Sequence, residues 1–143
     1  MNFAFIRRRL LNLSWPTRWR DQRRSFGRRG EKTAAAYLKR RRYRVIARNY
    51  RCPCGEIDLI ATLADLIVFV EIKTRAGVEA ADPIEAVRES QWRRVGQAAK
   101  YFLNRGAVRD RPCRFDLVTI VWPAEGRPEI EHFEDAFRPK SGW

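Results

Sequence analysis

The segment LIVFVEIKT (residues 66–74) begins as an apolar β-strand and ends with a carboxylate and an amine two residues apart, Glu71 and Lys73. The segment before it, EIDLIATL (residues 56–63), has the same aliphatic and β-branched character and carries Asp58 near its start. Two such runs joined by a short connection predict an antiparallel β-hairpin. The hairpin therefore predicts a sheet, and its polar end indicates where a site lies.

The register of this hairpin brings two acidic side chains together. A four-residue loop at 63–66 places Ile67 opposite Thr62, and the other cross-strand pairs follow, with Asp58 opposite Glu71. Directly opposed side chains lie about 5 Å apart at Cβ, so the two carboxylates repel each other unless a positive charge lies between them. A divalent metal ion supplies that charge, and oxygen ligands favour Mg²⁺ or Mn²⁺.

Lys73 and Glu31 extend the candidate site, although each also has a purely structural interpretation. Strand alternation places Lys73 on the face of Glu71, where its amine can orient or deprotonate a water or offset charge on a phosphate. The same register equally allows a salt bridge from Lys73 to Glu56. Glu31, at the start of a predicted helix, either caps the helix dipole or reaches into the site. Together, three charges on one face of two apolar strands favour a site, because an unpaired buried carboxylate is costly.

The rest of the chain predicts further helices and strands around the hairpin. The predicted elements are a helix over 30–42, a strand from Tyr43 to about Ala47, a turn at 52–55, a helix over 84–106 ending at Gly106, a strand over 113–122 and an edge strand near 129–137. The order α-β-β-β-α-β predicts an α/β fold with a mixed sheet flanked by helices. The strand over 113–122 is apolar almost throughout and is predicted to be central.

Composition divides the chain into a basic arm and a globular domain. Of the 143 residues, 45% are hydrophobic and 12% aromatic, which is enough for one domain with its own core. Residues 1–26 combine apolar positions with seven arginines and Pro16, and they predict a flexible or partly helical arm. Residues 27–137 are the predicted domain and residues 138–143 a tail.

Positive charge is concentrated in the first third of the chain. The net charge is +13, and residues 1–53 alone carry +15. Clustered Lys and Arg attract polyanions because each neutralised phosphate releases counterions, so nucleic acid is favoured over an anionic membrane surface or a role in solubility. The basic side chains predicted to contact nucleic acid are Arg28, Arg29, Lys32, Arg48, Arg51 and Arg75.

Cysteine usage and the N-terminus predict a cytoplasmic protein. There are three cysteines, an odd number, and Cys52 and Cys54 lack the two-residue gap of common zinc sites, so reduced thiols are expected. Charges interrupt any signal-peptide core, and no run approaches the roughly 20 apolar residues of a membrane span. No stable membrane insertion is expected, and the sequence leaves open whether the working unit is a homodimer.

Five ordered sequence blocks resemble a known family. The blocks GEKTAAAYL, ARNYR, GEIDLIA, VFVEIKTR and RFDLV, spread between about Gly27 and Phe137, are similar to the YraN-like bacterial family. That family is an uncharacterised group described as endonuclease-like and related to archaeal Holliday-junction resolvases. Asp58, twelve further residues and then Glu71-Ile72-Lys73 resemble the PD-(D/E)XK nuclease superfamily, which implies a restriction-endonuclease-like αβββαβ core.

The resemblance implies a role for each matching residue. It implies Asp58 and Glu71 as metal ligands, the Ile72 carbonyl as a further ligand, Lys73 as the catalytic amine, Glu31 as an accessory acid and Gln91 as a polar residue that contacts nucleic acid. The superfamily proline before the first aspartate is replaced by Ile57. Asp116 lies in a matching block, but no role follows for it.

Three functions remain as hypotheses. The first is a Mg²⁺- or Mn²⁺-dependent nuclease that acts on DNA, linear or branched, with little base specificity. The alternative is a non-catalytic nucleic-acid-binding module with the same fold. The third is an adaptor that uses the arm around Trp15 at a membrane surface or on another protein.

Overall fold

The predicted order α-β-β-β-α-β is confirmed, and the predicted edge strand follows the last of these strands. The structure, a computed structural model, describes residues 17–77, 87–106 and 108–140, and for residues 17–24 it describes the backbone alone. The elements are α1 (Thr17–Arg40), β1 (Arg44–Cys52), β2 (Gly55–Leu63), β3 (Leu66–Ala76), α2 (Glu89–Arg105), β4 (Cys113–Trp122) and β5 (Glu129–Phe137). The fold class is therefore α/β with a mixed sheet.

The five strands form one sheet in the order β1-β2-β3-β4-β5. β3 and β4 are parallel, whereas the other neighbouring pairs are antiparallel. The helix α2 lies in the connection between the two parallel strands, because parallel neighbours cannot be joined by a tight turn. β4 has a partner on each side, which confirms the central position predicted from its apolar sequence.

The predicted hairpin register is confirmed over the apolar halves of β2 and β3. Thr62 pairs with Ile67 as predicted, and the same register continues to the pair of Leu59 and Val70. The turn is shorter than predicted, with two residues (64–65) instead of four, because the pairing extends one step further toward it. The apolar pattern of the two strands was therefore sufficient to set their alignment.

Each helix packs on its own face of the sheet and forms a separate core cluster. On one face, α1 buries Ala34, Ala35 and Leu38 against Leu59, Val68, Val70 and Val118. On the other face, α2 buries Trp92, Val95, Ala98, Ala99 and Leu103 against Ile60, Phe69 and Leu117. Each fully buried aliphatic or aromatic side chain contributes roughly 1.5–3 kcal/mol, so these two clusters fix both helices on the sheet.

The first helix is longer than predicted. It begins at Thr17, ahead of the predicted start at Gly30, and so continues through part of the predicted arm. The rest of that arm, residues 1–16, lies outside the described residues. In the described part of the chain, no helix is both long and apolar enough to cross a membrane.

The second helix begins later than predicted. Arg88 has φ −64 and ψ 146, an extended conformation, and the helix starts at Glu89 rather than at Ile84. The physical reason is the extended backbone of Arg88, which interrupts the helical hydrogen-bond pattern directly after the buried Val87. Residues 84–86 lie outside the described part of the chain.

The first strand is also longer than predicted. It extends to Cys52, beyond the predicted end at Ala47, because it pairs with β2 along its whole length. Cys52 pairs with Gly55 across the predicted turn at 52–55, which confirms that turn.

Candidate active site

Asp58 lies where β2 separates from β3. The paired register ends at Leu59 and Val70, and beyond that point Oδ2 of Asp58 accepts a 2.8 Å hydrogen bond from the backbone N–H of Ile72. The side chain therefore takes over the accepting role that a backbone carbonyl has in a regular ladder. The predicted opposition of Asp58 and Glu71 is modified accordingly, because the ladder stops one pair short of them.

The backbone of β2 rotates at the same position. Strict alternation predicts that Ile57 shares a face with Leu59. Instead, Ile57 packs in the same core cluster as Ile60, while Leu59 packs in the cluster on the opposite face. The rotation accompanies the separation of the strands and turns the carboxylate of Asp58 toward Ile72.

Glu71, Lys73 and Gln91 form a connected polar cluster beside Asp58. Glu71 is only 4% exposed, and its Oε1 lies 3.3 Å from Nζ of Lys73. Gln91, in the first turn of α2, donates a hydrogen bond from Nε2 to the same oxygen and accepts a 3.0 Å bond from Nζ of Lys73 at its own Oε1. Glu56, the alternative partner of Lys73, pairs instead with Nε of Arg51 at 3.6 Å. Gln91 of α2 thus joins the two charged side chains near the end of β3, Glu71 and Lys73.

The electrostatics of the site favour protons or cations. Burial raises the pKa of Asp58 to about 6 despite the hydrogen bond from the Ile72 N–H, which lowers it, and the charge of Glu31 adds a smaller increase. Burial also raises the pKa of Glu71 to about 7, and the neighbouring charge of Asp58 adds to the effect. The attraction of Lys73 lowers both values but does not restore them. Two partly neutralised carboxylates are the environment in which a divalent cation replaces protons.

The backbone of Ile72 is oriented toward the same opening. A residue in a strand points its N–H and C=O to one edge, and the N–H of Ile72 points to Asp58, so its carbonyl faces the side that β2 has left. Two carboxylates and a carbonyl fit a hard cation such as Mg²⁺. Among the described residues, no group of three or more His, Cys, Asp or Glu side chains is arranged to hold a metal. Because Mg²⁺ usually keeps several waters, water or substrate oxygens would fill the remaining coordination positions.

Glu31 reaches the site from α1 and is held there by a residue that the sequence analysis missed. Oε2 of Glu31 accepts a 2.9 Å hydrogen bond from Nδ2 of Asn49, on β1. Asn49 has φ 49, in the left-handed region that asparagine tolerates better than most residues. An asparagine is depleted in strands, so its position beside predicted strand residues was the available signal.

A close contact between α1 and β3 brings Glu31 to this position. A Cβ added to Gly30 would lie 2.0 Å from Oγ1 of Thr74, a distance that no side chain permits. Glycine therefore lets the helix approach the end of β3 that carries Glu71 and Lys73. The next residue of the helix is Glu31, which is why the carboxylate points to the same region as the strand end.

Two cavities meet at the acidic residues. The first, here called the turn cavity, has a volume of about 650 Å³ and is lined by residues 51–56, Asp58, Glu71, Gln91, Arg94 and Val95. The second, here called the helix cavity, has a volume of about 500 Å³ and is lined by Phe26, Gly27, Glu31, Asp58, residues 71–74 and Gln91. Because Asp58, Glu71 and Gln91 line both, a ligand that fills either cavity contacts the acidic pair.

The predicted nucleic-acid contacts are placed in different surroundings. Arg28, Lys32 and Arg48 are exposed, and Arg75 is partly buried. The guanidinium of Arg29 lies 4.0 Å from the centre of the Trp122 ring. Arg51 lines the turn cavity, and Gln91 belongs to the polar cluster. The structure thus brings Arg51 and Gln91 to the acidic pair. The exposed basic residues extend outward from it along α1 and β1.

Asp116 belongs to a separate buried network. Its carboxylate is fully buried and is bound by both Nε and Nη2 of Arg114, at 2.7 and 2.8 Å. Nε2 of His132 lies 2.7 Å from Oδ2, and the backbone N–H of Asp135 donates a 3.1 Å bond to Oδ1. Asp116 lines neither of the two cavities described above. The network joins β4 to β5, which gives Asp116 a structural role.

Comparison with known proteins identifies relatives over most of the chain. A model described as "Uncharacterised protein family UPF0102" matches residues 30–120, a range that contains Glu31, Asp58, Glu71, Lys73 and Gln91. A UPF0102 protein of Geotalea uraniireducens is 42% identical over 118 residues, which are 82% of this chain and 93% of that protein. UPF0102 proteins of Geobacter sulfurreducens and Clavibacter michiganensis are each 43% identical, over 78% and 73% of this chain and 87% and 89% of their own lengths.

Proposed function

We propose that this chain, which belongs to the UPF0102 family, is a divalent-metal-dependent nuclease that hydrolyses phosphodiester bonds in DNA. Family membership confirms the YraN-like resemblance. The observation that carries the proposal is the acidic pair itself: Asp58 and Glu71 lie at the point where two strands separate, and both line two cavities of ligand size. A protein gains no stability from two neighbouring carboxylates removed from water, so their arrangement indicates a bound cation.

The metal would be held by Asp58, Glu71 and the carbonyl of Ile72. When bound, a divalent ion lowers the pKa of a coordinated water and stabilises negative charge on phosphate oxygens. The two carboxylates line both cavities, so they would hold such an ion within reach of a phosphodiester bound in either one. Mg²⁺ and Mn²⁺ are the proposed ions because all the ligands are oxygens.

Lys73 supplies the amine of the proposed reaction. Its Nζ lies between Oε1 of Glu71 and Oε1 of Gln91, so its position is set from two elements. From there it orients the attacking water and offsets the charge that develops on the phosphate. Gln91 is a positioning residue, because it acts through its contacts with Lys73 and Glu71.

Basic residues around the site would bind the phosphate backbone. The exposed side chains of Arg28, Lys32 and Arg48 extend from the site along α1 and β1, and contacts of this kind carry no base information. We therefore expect binding that weakens with salt and shows little sequence preference. The charge of +15 in residues 1–53 also supports the alternative function, a nucleic-acid-binding module without turnover.

A cleavage assay with matched variants separates the two functions. Purified protein is incubated with linear, flapped and four-way DNA in Mg²⁺, Mn²⁺ or EDTA. We expect metal-dependent cleavage, and a decrease of at least about 100-fold in Asp58→Ala and Lys73→Ala, because each removes a group that acts on the reacting phosphate. Asp65→Ala and Lys39→Ala are the controls, since both residues are exposed and line neither cavity.

The outcomes have distinct meanings. Absence of cleavage on all three substrates with either metal overturns the proposal. Cleavage that persists in Asp58→Ala or Lys73→Ala overturns the assignment of the site. Salt-sensitive DNA binding that is indifferent to Mg²⁺ and survives Asp58→Ala identifies the chain as the binding module instead.

A further inference from the structure

The turn cavity has the dimensions and walls of a small-ligand site. Its volume of about 650 Å³ falls within the roughly 300–1,000 Å³ typical of small-ligand pockets. One wall is the turn between β1 and β2, residues 52–55, and the other is α2 with Arg94 and Val95. The acidic pair lies at one side, so a ligand in this cavity is a direct neighbour of the proposed reaction.

The two walls meet at Gly55. A Cβ added there would lie 3.1 Å from the backbone oxygen of Arg94, which shows that the turn packs directly on α2. The contact closes one end of the cavity, which is otherwise a half-open cleft between the turn and the helix.

The lining suits one nucleotide. Arg51 and Arg94 supply guanidinium groups for phosphate oxygens, while Pro53 and Val95 supply apolar surface for a base or a sugar. No aromatic side chain lines this cavity among the described residues, and contacts of the two guanidinium groups with phosphate carry no base information, so we expect little base preference.

We infer that the turn cavity binds one unpaired nucleotide next to the scissile phosphate, and that the DNA strand cleaved by this protein is single-stranded at that point. The inference rests on the proposed nuclease function and specifies its substrate class. A paired base remains stacked inside the duplex, and placing it in the cleft between the turn and α2 requires removing it from the stack, which costs free energy that an unpaired base does not require. Single strands, flaps and junction arms that fray therefore fit the site, whereas continuous blunt duplexes do not.

Cysteine alkylation provides a readout that does not depend on cleavage. Cys52 and Cys54 line the turn cavity and Cys54 is exposed, while Cys113 lies on β4 outside both cavities and serves as the internal control. The full chain is alkylated with iodoacetamide in EDTA, which prevents cleavage, with an eight-nucleotide oligothymidylate or a blunt hairpin duplex at concentrations that saturate the fluorescence anisotropy. Mass spectrometry then gives the rate at each cysteine.

We expect the oligothymidylate to slow alkylation of Cys54 at least about tenfold by mass action, with Cys113 unchanged. The duplex is expected to leave Cys54 reactive. Equal protection by both probes, or bound oligothymidylate without protection, overturns the inference, as does the absence of oligothymidylate binding. If the oligothymidylate protects Cys54 but the protein cleaves no DNA, the nucleotide-binding inference holds and the nuclease proposal is overturned. Failure of the inference and failure of the proposed function are therefore distinguishable.

A pair of arginines on one helix tests the same inference in the cleavage assay. Arg94 lines the turn cavity. Its neighbour Arg93 is exposed, and its Nη2 lies 3.8 Å from Oε1 of Glu89. We expect Arg94→Ala to raise KM for a flapped substrate about tenfold, because it removes a charged contact with a phosphate, and Arg93→Ala to leave KM nearly unchanged. Equal effects of the two substitutions, or faster cleavage of blunt duplex than of flaps by the unmodified protein, contradict the inference.

Discussion

Asp116 and Glu71 are buried acidic residues on neighbouring central strands, and their surroundings are opposite. Around Asp116, burial alone would raise the pKa, but the hydrogen bonds from His132, Arg114 and the Asp135 amide outweigh it and hold the pKa below its usual range. Around Glu71, burial raises the pKa to about 7, and the charge of Asp58 adds to it despite Lys73. Similar burial therefore leads to pKa shifts in opposite directions.

The difference separates a carboxylate that is compensated within the protein from one that we propose to bind a metal. The network of Asp116 is completed by groups of the protein, with a two-point contact from Arg114 as its centre. The pair of Asp58 and Glu71 lines two cavities and receives the amine of Lys73, which does not compensate two charges. A buried acid with excess negative charge beside a cavity is the one expected to bind an external cation.

The largest expected effect comes from removing one acid of each kind. Asp116→Ala removes the two-point partner of the Arg114 guanidinium, which then retains only Glu134 and the Tyr43 hydroxyl, so we expect the free energy of unfolding to decrease by about 3 kcal/mol. Glu71→Gln removes a charge that burial disfavours, so at pH 8 we expect the free energy of unfolding to increase by about 1–2 kcal/mol. Urea denaturation measures both, and similar losses in the two variants would remove the distinction between the sites.

In cleavage activity the order of the two variants is expected to be reversed: the more stable Glu71→Gln loses activity, and the less stable Asp116→Ala keeps it. Glu71→Gln should eliminate metal-dependent cleavage, whereas Asp116→Ala should retain it per folded molecule at a temperature below its unfolding transition. Loss of cleavage in well-folded Asp116→Ala would show that the second network also takes part in the reaction.

A smaller effect is expected from pH and metal acting on the acidic pair. Glu71 has a pKa of about 7 in the folded protein, above its ordinary value near 4.5, so between these pH values the folded state holds more protons than the unfolded state. In EDTA, the contribution of Glu71 to stability therefore decreases as pH rises from 4.5 to 7 and is constant above that. Asp58, with a pKa of about 6, acts in the same direction over a lower range.

Mg²⁺ should reverse that dependence, because it binds the ionised carboxylates. At a concentration of 100 Kd, a ligand that binds the folded state adds about 2.7 kcal/mol, which we expect at pH 8 and not at pH 5. Thermal unfolding at both pH values, with and without Mg²⁺, measures the effect. Equal stabilisation at pH 5 and pH 8, or stabilisation that persists in Glu71→Gln, would indicate that the metal binds elsewhere.

The smallest expected effect concerns two glycines of α1. Gly30→Ala places a Cβ against Thr74, so it should lower the free energy of unfolding by about 1–3 kcal/mol and reduce cleavage by displacing Glu31. Gly27→Ala meets no atom within 4 Å and should raise the free energy of unfolding by about 0.5–1 kcal/mol through helix propensity. If both substitutions stabilise the protein, the contact of α1 with Thr74 does not set the position of Glu31.

Local patterns were sufficient for the hairpin and for the order of elements. The alternation of apolar residues in β2 and β3 allows one alignment that buries them, so the pairing of Thr62 with Ile67 was predictable. The boundaries of the helices were not, because α1 continues past two glycines and α2 starts only after the buried Val87. Propensity does not detect such tertiary effects.

The sequence by itself determined that Asp58, Glu71 and Lys73 belong to one end of a hairpin, because strand alternation and a short turn are local properties. The tertiary structure alone decided which side chains contact those groups. Gln91 and Glu31 reach them from helices on opposite faces, Asn49 holds Glu31, and Asp116 is neutralised by residues of β4 and β5. These contacts depend on how helices and strands distant in the chain pack together, and the compensation of a buried charge is decided by those neighbours.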